Sequence, residues 1–388
     1  MDGKKRVTFL ISATGGGHRA AAEAVAAGLE GLYPGKFEFL YVDVFREYFG
    51  FPLGKAPEIY ARWVSLSARS YGLAFVATDL LYRIPFTFDG FQGRTGRRFL
   101  ERLLALEPDI LVVIHALLVR PAAAGRDRLG LPLPLVSVVT DFARPHAGWF
   151  HPSVDLLVAA GPGIRRRARA LGIPEERVVE VGFLVHPRFA RPRLVGEEAR
   201  GYLGLAPGRP VVLFLGGGEG MGRLGAVVAA ADRGLRDVQF LVVCGRNRKL
   251  REGLEKRRWR NHVRIFGFVE ELEVLMAAAD VLVTKAGPLS IAEGLTVGLP
   301  LLIYDAVPYQ EVGNARWVER SGAGLFAADP RRAAAILARW LSDRGELARR
   351  AARAREVATP NSARATAAAI GGLLGLPTPL EEGPGWDS

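Results

Sequence analysis

Three consecutive glycines and a histidine follow a short apolar run in ISATGGGHRAAAEAV, residues 11–25. Glycine at a strand-to-helix turn accepts positive φ and lets the backbone approach a ligand closely. The free amides and positive dipole end of the helix that follows suit a phosphate or another crowded polar group. We therefore expect Gly15, Gly16 and Gly17 to form a ligand-binding turn, and a purely structural turn is the alternative.

His18 comes directly after these glycines, in the first turn of the predicted helix. An unperturbed imidazole has a pKa of about 6.5, which suits a general base or a proton shuttle. The positive end of the helix would keep the ring neutral, as a base must be. A capping or merely solvated histidine is the alternative.

The second half of the chain repeats this pattern after two further apolar runs. In FLGGGEGMG, residues 214–222, glycines and Glu219 follow a predicted strand. In TKAGPLSIAEGLTVGLP, residues 284–300, a strand leads into a helix start where Ser290 can act as the cap. Glu293 falls about one turn inside that helix, a position suited to accept hydrogen bonds from ribose hydroxyls.

A third polar loop, YDAVPYQEVGN over residues 304–314, follows the next predicted strand and carries Gln310, Glu311 and Asn314. Ligands of α/β proteins bind at the carboxyl edge of the sheet, where such loops lie. Three polar loops that follow neighbouring strands favour a ligand site over turn chemistry alone.

A dinucleotide enzyme is the rival interpretation of the first glycine turn. The stretch GGGHRA fits the G-x-G-x-x-A fingerprint, and Asp43 ends the next predicted strand, where a ribose-binding acid would lie. A nicotinamide or flavin enzyme would leave the second glycine system without a role, which weakens this interpretation.

Short apolar runs alternate with Ala-, Leu- and Arg-rich helical stretches, which is typical of parallel sheets covered by helices on both faces. The strands are predicted over residues 6–12, 37–43, 109–115, 134–141, 155–160, 178–182, 210–217, 238–245, 262–268, 280–287 and 300–305. The predicted fold class is therefore α/β, with two Rossmann-like, doubly wound domains that face each other across a cleft.

The domain boundary is expected in the segment rich in Pro, Arg and Gly over residues 186–210. The first domain then covers residues 1–190 and the second covers residues 191–358. A C-terminal helix is predicted over 359–375, and the tail over 376–388 has the composition of a disordered segment.

The 388-residue chain has a formal net charge of +12, which favours anionic partners such as nucleotides, nucleic acid or an anionic lipid surface. A soluble enzyme from an arginine-rich proteome is the alternative, and no recognised nucleic-acid motif is present. Cys244 is the only cysteine, which excludes an intrachain disulfide and a Cys-based zinc site and suits a reducing cytoplasm. The sequence lacks a run of about 18 apolar residues, so no transmembrane helix is expected.

The segment over residues 45–94 interrupts the α/β pattern and concentrates Phe, Tyr and Trp among scattered Arg and Lys. Such an amphipathic composition suits a surface for a membrane or a lipid substrate. Ordinary helices that cover the first sheet are the alternative.

Taken together, TGGGHRAAAEAV, GGGEGMG, VVCGRNRKL and the stretch from GFVEELEVL to YQEVGN resemble the monogalactosyldiacylglycerol synthases and the bacterial processive diacylglycerol glucosyltransferases. The N-acetylglucosaminyltransferase that makes lipid II is similar at a greater distance. The resemblance covers most of residues 6–345. It implies a GT-B fold and an inverting transfer of galactose or glucose from a UDP-sugar to the sn-3 hydroxyl of diacylglycerol.

The resemblance also assigns roles to individual residues. It places the diphosphate at the helix start, uracil beside Phe268 and Val269, and ribose on Glu293; Gln310, Glu311 and Asn314 read the hexose. The remaining donor positions are Gly16, Gly17, Gly217, Gly218, Glu219, Gly287, Pro288, Leu289 and Ser290. Trp149 and His151, in PHAGWFHP, are similar to acceptor-facing residues. Leu289 and Ser290 replace a Gly-Thr pair of many plant members.

The resemblance gives His18 the role of base or of acceptor positioning, and we expect it to deprotonate the glycerol hydroxyl. Asp141 is the second candidate for the base, because it ends a predicted strand. The sequence has no D-x-D motif, so we expect neither a metal nor another cofactor, and amides and the helix dipole stabilise the leaving diphosphate instead. The expected partners are the UDP-sugar, diacylglycerol and an anionic membrane surface, without nucleic acid. The expected location is peripheral, on the cytoplasmic face of the membrane. Another lipid acceptor or a UDP-sugar epimerase activity is the alternative.

Overall fold

The computed structural model of the chain describes residues 3–12, 16–48, 55–83, 99, 101, 103–220 and 222–377. The chain divides into two compact units. The first unit lies within residues 1–63, 70–187 and 361–388, and the second lies within 64–69 and 188–360.

The first unit alternates strands and helices as the apolar runs predict. Its elements are β1 (Lys5–Ile11), α1 (Gly17–Leu32), β2 (Phe37–Asp43), α2 (Val44–Tyr48), α3 (Ala56–Leu81), β3 (Ile110–Val113), α4 (Ala116–Arg128), β4 (Leu135–Val138), β5 (Leu156–Ala159), α5 (Pro162–Ala170) and β6 (Val178–Glu180), with a late helix described below. Short 3₁₀ turns cover Ala147–Trp149 and Glu175–Arg177.

The six strands of the first unit form one parallel sheet in the order β2-β1-β3-β4-β5-β6. All residues of β3, β4 and β5 are buried, as expected for strands that helices cover on both faces. The chain adds β2 on one side of β1 and then adds β3 to β6 on the other side, so the strand order reverses between β1 and β3. The loops after these two strands therefore flank the topological switch point, where ligands bind in doubly wound sheets.

The second unit repeats the architecture. Its elements are α6 (Pro187–Ala190), α7 (Gly196–Tyr202), β7 (Val211–Leu215), α8 (Leu224–Gly234), β8 (Gln239–Val243), α9 (Arg248–Glu255), β9 (His262–Phe266), α10 (Leu272–Ala278), β10 (Val281–Lys285), α11 (Pro288–Val297), β11 (Leu301–Asp305), α12 (Val312–Ser321), β12 (Gly324–Phe326), α13 (Pro330–Ser342) and α14 (Arg344–Val357). The parallel sheet has the order β12-β11-β10-β7-β8-β9, so its switch point lies between β7 and β10.

The helix predicted near the end of the chain is α15 (Ser362–Leu373), and it packs on α1 of the first unit. The two helices approach so closely that a Cβ on Gly28 would lie 2.3 Å from the carbonyl oxygen of Ala363. The backbone amide of Val185 donates to Ser362 Oγ at 3.0 Å. The first unit is thus built from both ends of the described chain.

The eleven strands expected from the apolar runs are all present, and each ends within a few residues of its predicted bounds. β12 was not predicted, because it has only three residues and begins with a glycine. A Cβ on Gly324 would lie 2.1 Å from the carbonyl oxygen of Leu301 in the neighbouring strand, which explains the glycine.

Several segments of the sequence analysis fall partly outside the described residues, among them the first glycine turn, of which Gly15 lies outside, and the second glycine loop, of which Met221 lies outside. Of the aromatic segment over 45–94, the residues 49–54 and 84–94 lie outside, and of the tail over 376–388, all residues from 378 lie outside. The predicted linker over 186–210 contains the short helices α6 and α7. Among the described residues, no helix combines the length and apolarity that crossing a bilayer requires.

Candidate functional site

In the second unit, two glycine-bearing loops follow the strands that flank the switch point. The loop after β7 places Gly217 and Gly218 at the carboxyl edge of the sheet, with Gly217 at φ 72°. Gly220, at φ 56°, lies so close to β8 that a Cβ there would meet the carbonyl oxygen of Cys244 at 2.1 Å. Only glycine permits this loop to pack so closely against the neighbouring strand. The side of the loop that faces away from the strand is then available to a ligand.

The helix start predicted to hold a diphosphate begins one residue after Gly287, which is the N-cap of α11. Pro288 occupies the first turn, and no described side chain caps the helix. The expectation that Ser290 caps α11 is therefore wrong, because Ser290 is its third residue. The backbone amides of Leu289 and Ser290 lie in the first turn of α11, where the helix itself provides no acceptor for them. They can therefore donate to an anion bound at this end of the helix.

Glu293 lies one turn further along α11 and is only 9% exposed. Burial raises the pKa of its carboxyl from 4.5 to about 8, although Arg188 opposes the rise, and Glu273 adds to it. The group is therefore largely protonated at neutral pH. A protonated carboxyl both donates and accepts hydrogen bonds, so it can pair with ribose hydroxyls, which do the same.

Two of the polar side chains that follow β11 form hydrogen bonds with backbone groups of nearby loops. Asn314 Nδ2 donates to the carbonyl oxygen of Ala286 at 2.9 Å, and Glu311 Oε2 accepts from the amide of Val307 at 3.0 Å. Both side chains are buried, so in this structure they fix the loops beside α11, whereas Gln310 is half-buried. Tyr309 adopts a φ of 64°, a strained value for a residue other than glycine and typical of functional loops.

An aromatic ring lies beside the glycine loop. Phe268 is 58% exposed, and the guanidinium carbon of Arg246 lies 4.6 Å from the centre of its ring. Arg246 Nη1 in turn pairs with Glu219 Oε1 at 3.1 Å. This chain of contacts joins the loops after β7, β8 and β9, and Val269, which follows Phe268, is half-buried. An exposed ring held in place by an arginine suits stacking on a nucleobase.

In the first unit, Gly16 is the N-cap of α1 with φ 73°, and Gly17 and His18 are the first two helical residues. This left-handed cap explains the glycine at position 16. His18 is half-buried, and its ring centre lies 4.7 Å from that of His115, with the planes tilted by 56°. His115 follows β3, so the two histidines meet at the switch point between β1 and β3.

The loop after β4 carries the second predicted base. Trp149 Nε1 donates to Asp141 Oδ2 at 3.0 Å. Trp149 is 1% exposed and belongs to the core of the first unit, so its side chain has no surface to offer an acceptor, contrary to the sequence expectation. It orients Asp141 instead. His151 is half-buried, and its Nδ1 accepts from the amide of Ser153 at 3.2 Å.

A polar cluster, which we call the Asp79 cluster (Thr78, Asp79, Arg83, His146 and Arg167), connects α3 with this loop. Its members Asp79 and His146 are buried, whereas Arg83 is exposed. Asp79 pairs with Arg83 at 2.8 Å and with Arg167 at 2.5 Å. Burial lowers the pKa of His146 to about 4, so its ring is neutral. Because its Nδ1 accepts from the amide of Gly148, Nε2 carries the proton and donates to Thr78 Oγ1 at 3.1 Å.

Sequence reasoning missed His115 and the Asp79 cluster. His115 carried a usable signal, since it is the last residue of a predicted strand and therefore falls at the ligand-binding edge. Asp79 carried none, because a single acid inside an aromatic helix does not reveal which loop it will contact.

Comparison with known families covers both units. Residues 18–185 match the family model for monogalactosyldiacylglycerol (MGDG) synthase, and residues 196–357 match that for glycosyl transferases group 1. A probable monogalactosyldiacylglycerol synthase 2, chloroplastic, of Oryza sativa subsp. indica is 33% identical over an alignment of 368 residues that covers 92% of this chain and 78% of that protein.

Solved structures agree on the fold. MurG of Acinetobacter baumannii is 15% identical with a TM-score of 0.56, over 94% of this chain and 98% of that one. HepE of Anabaena in complex with UDP-glucose is 16% identical with a TM-score of 0.56, over 96% of this chain and all of that one. The predicted GT-B fold and the predicted family are both confirmed. The chain belongs to the monogalactosyldiacylglycerol synthase family of GT-B glycosyltransferases.

Proposed function

We propose that this chain transfers a hexose from a UDP-sugar to the 3-hydroxyl of 1,2-diacylglycerol, with inversion at the anomeric carbon. The observation that carries the proposal is the 33% identity to a named galactolipid synthase over 92% of the chain. The polar loops at the switch points of both sheets support it, because they match the chemistry that donor and acceptor require.

The second unit binds the donor. The amides of Leu289 and Ser290, at the start of α11, hold the diphosphate, and the Gly217–Gly218 turn approaches it from β7. The exposed ring of Phe268, with Val269 beside it, holds uracil. Glu293 binds the ribose. Gln310, Glu311 and Asn314 belong to the loop that reads the hexose, with the last two acting through the backbone they hold.

The first unit activates the acceptor. His18 removes the proton of the glycerol hydroxyl as the new bond from that oxygen to the anomeric carbon forms. The bond from the anomeric carbon to the diphosphate oxygen breaks, and UDP leaves with the electron pair. A positioned general base contributes about 10²–10⁴-fold in rate. Asp141 is the second candidate for the base, and Trp149 holds its carboxylate.

Amides and the helix dipole stabilise the leaving diphosphate in this proposal, without a metal. Turnover in the presence of excess EDTA tests this directly. Unchanged turnover is expected, and a loss that added Mg²⁺ or Mn²⁺ restores would overturn the metal-free assignment.

The acceptor is a lipid, so the chain has to reach a bilayer. Exposed apolar side chains on α3, with Leu73 60% and Leu80 53% exposed, support attachment through the first unit. The net charge of +12 supports attraction to an anionic surface. We place the enzyme peripherally on the cytoplasmic face of such a membrane.

The deciding experiment incubates the protein with radiolabelled UDP-galactose or UDP-glucose, with and without diacylglycerol vesicles, and separates the lipid products by chromatography. Label in a monohexosyl lipid with one donor is expected and also identifies the hexose. Consumption of the UDP-sugar without lipid would instead favour an epimerase or hydrolase. Labelling only when another lipid is supplied would favour another lipid acceptor.

A further inference from the structure

His115 is held in place from several sides. It is the N-cap of α4, and its Nδ1 accepts from the amide of Leu117 at 3.2 Å. The ring of Phe45 meets it edge-on at 5.2 Å. The amide of Ile114, its chain neighbour, donates to the carbonyl oxygen of Leu10 at 2.9 Å, which ties the end of β3 to the end of β1. These contacts fix the orientation of the ring.

A cap alone does not explain a histidine at this position. Asn, Asp, Ser and Thr are the preferred residues at helix N-caps, and they accept from the same amide with a smaller side chain. The imidazole ring of His115 is larger than the side chain that capping α4 requires. Its additional ring surface contacts His18.

The charge state of His115 also fits a contact with a base. Burial, together with the neighbouring imidazoles of His18 and His146, holds the pKa of His115 well below its ordinary value. Its ring therefore remains neutral at physiological pH. A neutral neighbour does not repel the positive charge that His18 acquires when it takes up a proton.

We propose that His115 is a positioning residue for His18: its fixed ring is the surface against which the His18 imidazole is held in one orientation. This inference depends on the proposed role of His18 as the base. Near the start of α1 a half-exposed imidazole has several staggered rotamers available, and contact with a fixed ring selects among them. Misplacement of a reacting group by about 1 Å costs up to about 10²-fold in rate.

Two variants separate the cap from the ring. His115→Asn keeps a side-chain acceptor for the amide of Leu117 but removes the ring that contacts His18. His115→Phe keeps an aromatic ring but removes the acceptor. If the cap is the whole role, Asn should behave as well as histidine and Phe should be the poorer variant. If positioning is the role, the order in turnover is reversed.

The experiment measures kcat, the KM for the UDP-sugar, and melting temperature for both variants. We expect His115→Asn to melt close to the wild type, keep its KM and lose about 10–100-fold in kcat. His115→Phe should lose stability but retain more turnover than His115→Asn. Equal kcat of His115→Asn and the wild type would overturn the proposal.

An NMR measurement keeps this inference separate from the proposed function. The protein has six histidines (His18, His115, His146, His151, His186 and His262), so ¹³C-labelled imidazole signals can be assigned by single substitutions. In His115→Asn we expect the His18 signals to lose the ring-current shift and show rotamer averaging. Unchanged His18 signals would overturn the positioning role even if the base assignment stands. Full activity of His18→Ala would overturn the base assignment, while the NMR result still decides whether His115 orients His18.

Discussion

The carboxylate of Asp79 accepts the backbone amide of Ala147 at 2.6 Å, which fixes α3 to the turn that carries Trp149. Trp149 in turn donates to Asp141. An aromatic helix that is a candidate for lipid contact and a candidate base are therefore joined by two consecutive hydrogen-bonded steps. The same carboxylate also neutralises Arg83 and Arg167.

Replacing Asp79 should destabilise the first unit strongly. Asp79 is 1% exposed, and its removal leaves Arg167 as an uncompensated, partly buried charge. We expect Asp79→Ala to lower the free energy of unfolding by about 3–5 kcal/mol, measured by urea denaturation. Asp127→Ala is the control, because the Asp127 side chain is 47% exposed and its partner Arg126 keeps a second carboxylate, Asp155, so the loss should be less than about 1 kcal/mol. Equal small losses would show that the cluster does not hold α3.

The Asp79 cluster also predicts a dependence of stability on acid. Burial raises the pKa of Asp79, but the amide of Ala147 and the arginines outweigh burial and lower it overall. A carboxyl with a lower pKa in the folded state stabilises the fold above its unfolded pKa, and this contribution disappears as the pH falls through the folded value. Denaturation from pH 6 down to pH 2 should therefore show a steeper loss for the wild type than for Asp79→Asn. Parallel curves would contradict this reading.

Glu293 predicts the opposite dependence on pH. Its pKa is raised to about 8, so the folded state binds more protons than the unfolded state between pH 4.5 and about 8. The free energy of unfolding should therefore fall as the pH rises through this window, and Glu293→Gln should lose this dependence. The gain of Glu293→Gln over wild type should grow by at least about 1.4 kcal/mol from pH 5 to pH 8.5, which corresponds to one pKa unit.

A matched control for this measurement is Glu252→Gln, because the Glu252 side chain is 57% exposed in the same unit and should show no such trend. Glu293→Ala should bind UDP more weakly, as measured by titration calorimetry, if this group contacts the ribose, whereas Glu293→Gln keeps a donor and an acceptor and should retain most of the affinity. A Glu293→Ala protein that keeps the UDP affinity of the wild type would show that this buried carboxyl does not contact the ribose.

Phe268 should contribute stacking energy to the binding of uracil. We expect Phe268→Ala to weaken UDP binding about 2–10-fold and Phe268→Tyr to keep most of the affinity, because aromatic stacking contributes about 0.5–1.5 kcal/mol. Tyr202→Ala is a close control, since Tyr202 lies in the same unit and is also 58% exposed. If both alanine variants bind UDP alike, the ring of Phe268 does not contact the base.

The exposed leucines of α3 should bind the bilayer. Leu73 and Leu80 are seven residues apart, so they lie on one face of the helix. Leu73→Ser with Leu80→Ser should reduce co-sedimentation with anionic vesicles but leave turnover of a short-chain, soluble diacylglycerol nearly unchanged. Val195→Ser, at a 57% exposed position of the second unit, is the control. Equal binding of neutral and anionic vesicles by the wild type would contradict the electrostatic part.

Much of this architecture was predictable because buried parallel strands are continuous apolar runs. A run such as residues 210–217 predicts a strand of a parallel sheet. The loop that follows such a strand lies at the carboxyl edge of the sheet, so the position of the glycine loops could be predicted. The residues that each side chain contacts in the folded protein could not be predicted. The ring of His18 meets that of His115 because β3 lies beside β1 in the sheet, although β2 is the strand that follows β1 in the sequence.

Burial separated other residues that look alike in the sequence. Trp149 and Phe268 are both aromatic and both follow a strand, yet one is 1% and the other 58% exposed. The raised pKa of Glu293 likewise comes mainly from burial, which Arg188 opposes and Glu273 reinforces, and both of these residues are distant in the chain. Such properties arise from packing between helices and strands that are distant in the sequence, and local residue patterns do not predict that packing.

The close packing of α15 on α1 has a consequence for biosynthesis. Residues 362–373 leave the ribosome only after the whole second unit has been made, so the first unit cannot cover the Gly28 face of α1 until then. Domains generally fold as units, and usually in order of synthesis. Here the half of the molecule that is translated first is the half that is completed last.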